Sequence, residues 1–193
     1  MTRSEFLQRT AQLACGSCAA VILARTATAA ETAPTSAPKP TPLDEALKKA
    51  QYENQFVNNW LTDLFAAIDT ELDPAAQMKL IEACGRGCYE RHAFKQEIAA
   101  AGKGDVDRLV AAYAKNFGIH REGNFVHITY GGGKCYCPAA RNRPTRPNDL
   151  QCECTRATHQ ALWQAAMGRP YKIELLETVR RGGQKCHLRV TLV

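Results

Sequence analysis

Cysteine spacing is the feature of this sequence that most constrains its fold. Seven of the nine cysteines lie beyond residue 80, and thiols repeated at short spacing serve either as ligands for a soft metal or as disulfide bonds. A chain of 193 residues that is 45% hydrophobic is long enough to form a core without them. We therefore expect these cysteines to be functional: Cys84 with Cys88, Cys135 with Cys137, Cys152 with Cys154, and the single Cys186.

Residues 1–29 are typical of an export signal. Arg3 lies near the start, and a weakly apolar run over residues 10–24 is followed by small residues up to Ala29. The run is shorter than the roughly 20 apolar residues of a membrane span. We therefore expect a cleaved signal, a mature chain with no permanent membrane span, and export, to the periplasm.

The first residues resemble a twin-arginine leader, whose pattern is Ser-Arg-Arg-x-Phe-Leu-Lys. The chain has Arg3, Phe6 and Leu7 in this pattern but Ser4 where the second arginine would stand. The resemblance implies a route that exports folded proteins already loaded with a cofactor. The general secretory route, which delivers unfolded chains to an oxidising compartment, is the alternative.

The next segment and the charge distribution limit what the chain can bind. Residues 30–42 are rich in proline, alanine and threonine and poor in large apolar side chains, which predicts a disordered linker. The formal net charge is only +6, and the densest basic stretch, residues 141–146, lacks aromatic side chains that stack on bases. We expect no nucleic-acid partner.

Hydrophobic periodicity predicts that residues 43–193 form a single domain with a helical N-terminal part. Asp73 and Pro74 provide an N-cap and a first-turn proline for a second helix that runs into Cys84. The first helix covers residues 43–68, and its apolar stripe is expected to face the core: Val57, Trp60, Leu61, Leu64, Phe65 and Ile68.

The C-terminal part mixes helical and strand patterns. Asp105 can cap a third helix that extends to Phe117 and is ended by Gly118, and a fourth covers residues 157–167. Alternating residues predict a strand over 124–130 and a hairpin over 171–193. The predicted fold class is α+β, with the helical part packed on a small antiparallel sheet that ends in a C-terminal hairpin.

The two Cys-x-Cys pairs predict a metal site. In an extended strand residues i and i+2 point to the same side, so Cys135 with Cys137 and Cys152 with Cys154 would present two pairs of sulfurs. Two facing pairs would form a four-thiolate cage for zinc or an iron–sulfur cluster, with His127 as a further candidate ligand. Disulfide bonds that brace the intervening loop are the alternative.

A second candidate site lies at the end of the second predicted helix. Cys84, Cys88 and His92 share one helical face at i, i+4 and i+8, and Arg86 could favour a thiolate there. These four residues are the candidate catalytic residues. A helix end that is disulfide-bonded elsewhere is the alternative. Cys186 is expected to be a buried thiol in the last strand.

The C-terminal half combines a Cys-x-Cys pair, a helix, a Gly-x-Pro turn, a strand and a hairpin that carries Gly-x-x-Cys. The motifs are Cys152-x-Cys154, Gly168-Arg169-Pro170, Glu177-Thr178 and the run from Gly182 to Leu188. This order resembles L-2-amino-thiazoline-4-carboxylate hydrolase-like proteins and cysteine-containing 4-vinyl reductase domains. The resemblance implies small-molecule binding in an α+β domain.

Three functional hypotheses follow. The first is an exported protein that binds a metal or a small molecule, with a redox or ligand role near Cys84 and Cys88. The second is a thiol-dependent hydrolase of a small sulfur- or nitrogen-containing compound. The third is a scaffold braced by disulfide bonds. The sequence contains no phosphate loop and no His-Glu-x2-His motif that would favour an enzyme of those classes.

The leader generates a direct prediction. Native protein should begin near Ala30, because small residues precede that position and signal peptidases cleave after such residues. N-terminal sequencing of protein isolated from the producing cells measures this. Recovery of Met1 or Thr2 as the first residue would contradict it.

Overall fold

The computed structural model describes residues 41–192, so the predicted signal and nearly all of the predicted linker lie outside the described range. Within that range no helix is long and apolar enough to cross a bilayer. The elements follow one another as α1 (Pro42–Glu71), α2 (Pro74–Arg91), α3 (Ala93–Ala101), α4 (Val106–Tyr113), β1 (Gly118–Glu122), β2 (Phe125–Tyr130), α5 (Cys152–Met167), β3 (Lys172–Glu177), a 3₁₀ turn (Val179–Arg181) and β4 (Cys186–Thr191).

The predicted α+β class is confirmed. The four strands form one antiparallel sheet in the order β1-β2-β4-β3, and the predicted C-terminal hairpin is the β3–β4 pair. Val126 and Ile128 of β2 lie opposite Val190 and Leu188 of β4, and all four side chains are fully buried. They pack in one core with the helices, which contribute Leu109, Tyr113, Leu162 and Trp163 among others.

The helix boundaries follow from capping residues that the sequence displays. Asp73 accepts hydrogen bonds from the amides of Ala75 and Ala76 and so satisfies two donors at the start of α2. Asp105 accepts a hydrogen bond from the amide of Arg108 and so caps the start of α4. Gly168 ends α5 with a φ of 73°, in the left-handed region where glycine is favoured.

The expectation that the stripe of α1 faces the core is wrong for three of its six residues, which are exposed: Val57, Trp60 and Leu64. Phe65 is buried, but Val57 is 52% exposed and Trp60 is 58% exposed. Every residue from 41 to 57 is exposed. Helical periodicity identifies residues that share a face. It does not reveal whether another element covers that face.

Three other local predictions differ from the structure. Cys152–Cys154 forms the first turn of α5 rather than an extended piece. Its preceding residue, Gln151, makes no side-chain capping bond, so the sequence lacks the usual start signal. Helix α3 and strand β1 were not predicted, and the third predicted helix ends at Tyr113, several residues before Gly118.

Helices α2 and α5 approach closely at Gly85, which is buried. A Cβ built on Gly85 would lie 2.3 Å from the carbonyl oxygen of Cys154 and 2.7 Å from the Cβ of Ala157. The Thr158 hydroxyl donates to the carbonyl of Gly85 at 2.9 Å. Only glycine therefore allows this helix contact.

We expect Gly85→Ala to lower the free energy of unfolding by about 2 kcal/mol or more, because the added methyl group meets backbone atoms that cannot turn away. Gly87→Ala, on the same helix, is the matched control. Its Cβ would meet only the guanidinium end of Arg91, and alanine favours a helix by up to about 1 kcal/mol over glycine. Urea denaturation measures both. Equal stability of the two variants would contradict the expected packing.

A buried histidine lies between the helices and the sheet. His159 is 4% exposed, and its Nδ1 is 3.1 Å from the hydroxyl of Tyr113. Burial, followed by the nearby charge of Lys95, lowers the pKa of His159 to about 3. Burial raises the pKa of Tyr113 well above its usual value, so the phenol keeps its proton and donates to a neutral imidazole.

This histidine should make stability depend on pH. The unfolded chain binds a proton on His159 below about pH 6.5, whereas the folded chain does not until about pH 3. As the pH is lowered from about 6.5 to about 3, the free energy of unfolding should therefore decrease, by up to about 1.4 kcal/mol per pH unit. His159→Asn, which keeps an acceptor for Tyr113, should flatten the profile measured by urea denaturation. The exposed His92→Asn is the control, and an unchanged slope in His159→Asn would refute the effect.

Candidate functional site

The principal cavity has a volume of about 590 Å³ and lies between the helices and one end of the sheet. Helices α2, α3 and α5, strand β2 and the loop that follows it all contribute to its wall. Three cysteines from different segments line it: Cys88, Cys137 and Cys154. The rest of the wall is mostly apolar or aromatic, including Phe94, Phe117, Tyr136 and Leu162. A cavity of this size suits a small molecule.

Cys88 has a charged hydrogen-bond donor. The Lys95 ammonium donates to the Cys88 sulfur at 2.9 Å. This contact exists because α2 ends at Arg91 and the chain turns at His92, so that the first turn of α3 brings Lys95 back towards α2. The sequence indicated the cysteine but not the lysine, since the break between the two helices was not predicted.

His92 is held at the end of α2. Its Nδ1 lies 2.7 Å from the carbonyl oxygen of Cys88 and 3.8 Å from the Cys88 sulfur. A carbonyl can only accept, so Nδ1 carries the proton. The candidate residue Arg86 is exposed, and the cation that contacts Cys88 is Lys95.

Four neighbouring cysteines, which we call the four-thiol group, are Cys84, Cys88, Cys137 and Cys154. The last three line the cavity, whereas Cys84 is exposed and lies outside its wall. The pKa of Cys154 is raised to about 12, first by burial and then by the thiols of the other three members. Burial also raises the pKa of Cys137, with further contributions from the thiols of Cys135 and Cys88. Cys84 lies one helical turn before Cys88 on α2.

The other three cysteines belong to a separate small pocket. Cys135, Cys152 and Cys186 line a cavity of about 30 Å³. The Cys152 thiol donates to the Thr178 hydroxyl at 3.1 Å, and burial raises its pKa to about 11. Cys186 is half-buried. These contacts are typical of structural thiols in a core.

The two Cys-x-Cys pairs are thus divided between sites. Cys135 and Cys152 line the small pocket, and Cys154 lines the main cavity, whereas Cys137 borders both. The physical reason is that residues i and i+2 point in opposite directions in a helix, and Cys152–Cys154 is helical rather than extended. The premise that both sulfurs of this pair share one side was wrong.

The structure also shows how far apart the cysteine sulfurs lie and whether they form disulfide bonds. Within residues 41–192, no three cysteine sulfurs lie within 4.8 Å of one another. The seven cysteines of this range are all unpaired. His127, the further candidate ligand, lies in neither cavity wall and instead contacts His187 and Glu122.

A buried ion pair fixes the loop between β2 and α5, which carries Cys135 and Cys137. Arg180 and Asp149 are 2% and 1% exposed, and Arg180 Nε donates to the Asp149 carboxylate at 2.8 Å. The same guanidinium donates to the carbonyls of Ala140, Arg143 and Pro144. Sequence reasoning missed Arg180, because nothing near the Gly182-Gly183 turn marks it as buried.

Comparison with known proteins gives a family without an assigned activity. A search of curated proteins found no match. A family model matches residues 42–193, the part of the chain that contains the cavity and all seven cysteines described above. The chain belongs to DUF6144, a family of unknown function.

Proposed function

We propose that this protein binds a small molecule in the 590 Å³ cavity, beside a soft-metal centre held by the four-thiol group, and that the centre serves in electron transfer. One observation carries the proposal. Cysteines from α2, from α5 and from the loop after β2 open onto the same cavity, although they are far apart in the sequence.

The ligand type favours a soft metal. Thiolates select zinc, copper(I) or iron–sulfur clusters over hard cations. A single zinc ion at about 2.3 Å from four sulfurs holds them within about 4 Å of each other. The sulfurs here are spaced more widely, with no three inside 4.8 Å in the described range. An iron–sulfur cluster spans a larger volume than one ion and supplies one-electron transfer, so it is the centre that we propose.

The protein residues around the four-thiol group would tune such a centre. Lys95 donates to Cys88, and hydrogen bonds to ligand sulfurs raise reduction potentials by stabilising the more negative state. Cys137 and Cys154 are half-buried, which limits the access of solvent to their sulfurs. Phe94 and Tyr136 provide an apolar wall for a ligand adjacent to the sulfurs.

One of the two export routes that the leader leaves open suits this proposal. A twin-arginine-like leader, if used, would carry a protein that folds around its metal before it crosses the membrane. Cytoplasmic assembly would also keep the thiols reduced until the centre is complete.

Thiol-dependent hydrolysis is the second candidate function. It is favoured by a specific contact, the 2.9 Å hydrogen bond from Lys95 to the Cys88 sulfur at the cavity wall, because a cation there would stabilise a thiolate nucleophile. The resemblance of the C-terminal half to hydrolase-like proteins implies small-molecule binding, which this candidate also requires. In this case Cys88 would react with the ligand instead of holding a metal.

Serine variants within each Cys-x-Cys pair test the proposal. We expect Cys137→Ser and Cys154→Ser to lose iron and sulfide and to lower the Tm, because binding energy at a cysteine metal site is also folding energy. Cys135→Ser and Cys152→Ser, two residues away, are the matched controls and should keep the metal. Elemental analysis and visible absorption of anaerobically purified protein are the measurements.

The outcomes separate the hypotheses. Loss of metal in all four variants would favour the ligand set predicted from sequence spacing. Metal that persists in Cys137→Ser and Cys154→Ser would contradict both ligand sets. Metal-free wild-type protein in which Cys88 is the thiol alkylated first, with slower alkylation in Lys95→Met, would favour the hydrolase. Metal-free protein with oxidised thiols would favour the disulfide-braced scaffold.

A further inference from the structure

The outer face of the sheet, opposite the helices, carries a group of histidines. His120 of β1 and His127 of β2 are directly opposed across the two strands. Their rings stack with centroids 5.0 Å apart and planes only 12° apart. Glu122 lies two residues after His120, so the two side chains are on the same side of β1. One donor atom from each of these three residues lies within 4.8 Å of the other two.

His187 of β4 holds His127 from the opposite direction. The Nε2 of His187 is 2.8 Å from the Nδ1 of His127, while the Nε2 of His127 is 3.6 Å from a carboxylate oxygen of Glu122. One nitrogen of His127 is therefore occupied by a hydrogen bond, and the other points towards the carboxylate. Metal-binding histidines characteristically have this arrangement, in which a neighbour fixes the orientation of the ring.

The fold explains why these side chains meet outside the core. Val126 and Ile128 of β2 point inward, so His127 between them points outward. Leu188 of β4 also points inward, so the adjacent His187 points outward. His127 is 12% exposed, whereas Glu122 is 77% exposed and can rotate. Arg189, which lies opposite His127 on β4, forms a salt bridge with Glu174 at 2.9 Å. The carboxylate of Glu122 thus remains available to a bound ion.

We propose that His120, Glu122 and His127 form a site for a divalent transition-metal ion, with His187 as a positioning residue. Two imidazoles and one carboxylate on one side of an ion leave open coordination positions. Such a donor set favours zinc, nickel or cobalt over magnesium and calcium, which prefer oxygen ligands alone. Because metal–ligand bonds are about 2.1 Å long, the three donor atoms must move closer to one another to bind one ion. The side chains of His120 and Glu122 are exposed and have room to do so. This site is independent of the four-thiol group.

Cobalt(II) is the probe that separates the two sites. We expect the purified full chain to bind one Co²⁺ per molecule at the outer face and to show d–d bands. His120→Ala, Glu122→Gln and His127→Ala should each raise the Kd for this ion at least tenfold, measured by titration calorimetry. Cobalt bound by cysteines would instead give a thiolate charge-transfer band in the near ultraviolet, and that band should not change in these three variants.

Two further variants complete the test. His187→Ala should weaken binding roughly tenfold, as expected for loss of an orienting partner, and His187→Gln should restore part of the affinity. Thr191→Ala, on β4, is the control and should bind as the wild type does. The proposal would be overturned if all the cobalt that binds gives the thiolate band, so that none is bound at the outer face. It would also be overturned if the affinity is unchanged in His120→Ala and Glu122→Gln. Both results are independent of what the four-thiol group binds.

Discussion

The close approach of α2 and α5 at Gly85 is the contact on which the arrangement of the cavity depends. With no side chain at Gly85, the α2 backbone rests against the carbonyl of Cys154, and a methyl group there would overlap it. Because Cys84 and Cys88 flank this glycine on α2, the same contact brings them to Cys154. Close packing of two helices thus determines the position of three thiols, and the cavity opens beside them.

The fourth thiol depends on a different interaction. Cys137 lies on an irregular loop with few regular backbone hydrogen bonds of its own, and Arg180 satisfies several of that loop's carbonyls from within the core. Removing one partner of a buried ion pair typically leaves an uncompensated charge that destabilises a protein by about 3–5 kcal/mol. The Arg180–Asp149 pair is therefore expected to hold the loop, and with it Cys137, against α5.

The sequence predicted the α+β fold well because its signals are local. Asp73, Asp105 and Gly168 mark helix ends, and alternation reveals the hairpin at once. The site was harder, since Cys-x-Cys at 152–154 has a strand-like spacing but no residue that distinguishes a strand from an uncapped helix start. Lys95 and His187 are recognised as partners only once a helix break and a strand register are known. The helix break and the strand register both depend on tertiary packing.

The two proposed metal sites differ in the physical property that would select their ions. Three of the four thiols are half-buried and line a mostly apolar cavity, so the cost of burying charge favours a centre whose net charge is spread over several atoms. The histidine group on the outer face is polar and includes an exposed carboxylate, so it suits a borderline ion. Because the sheet separates the two groups, each can be altered without changing the other's ligands.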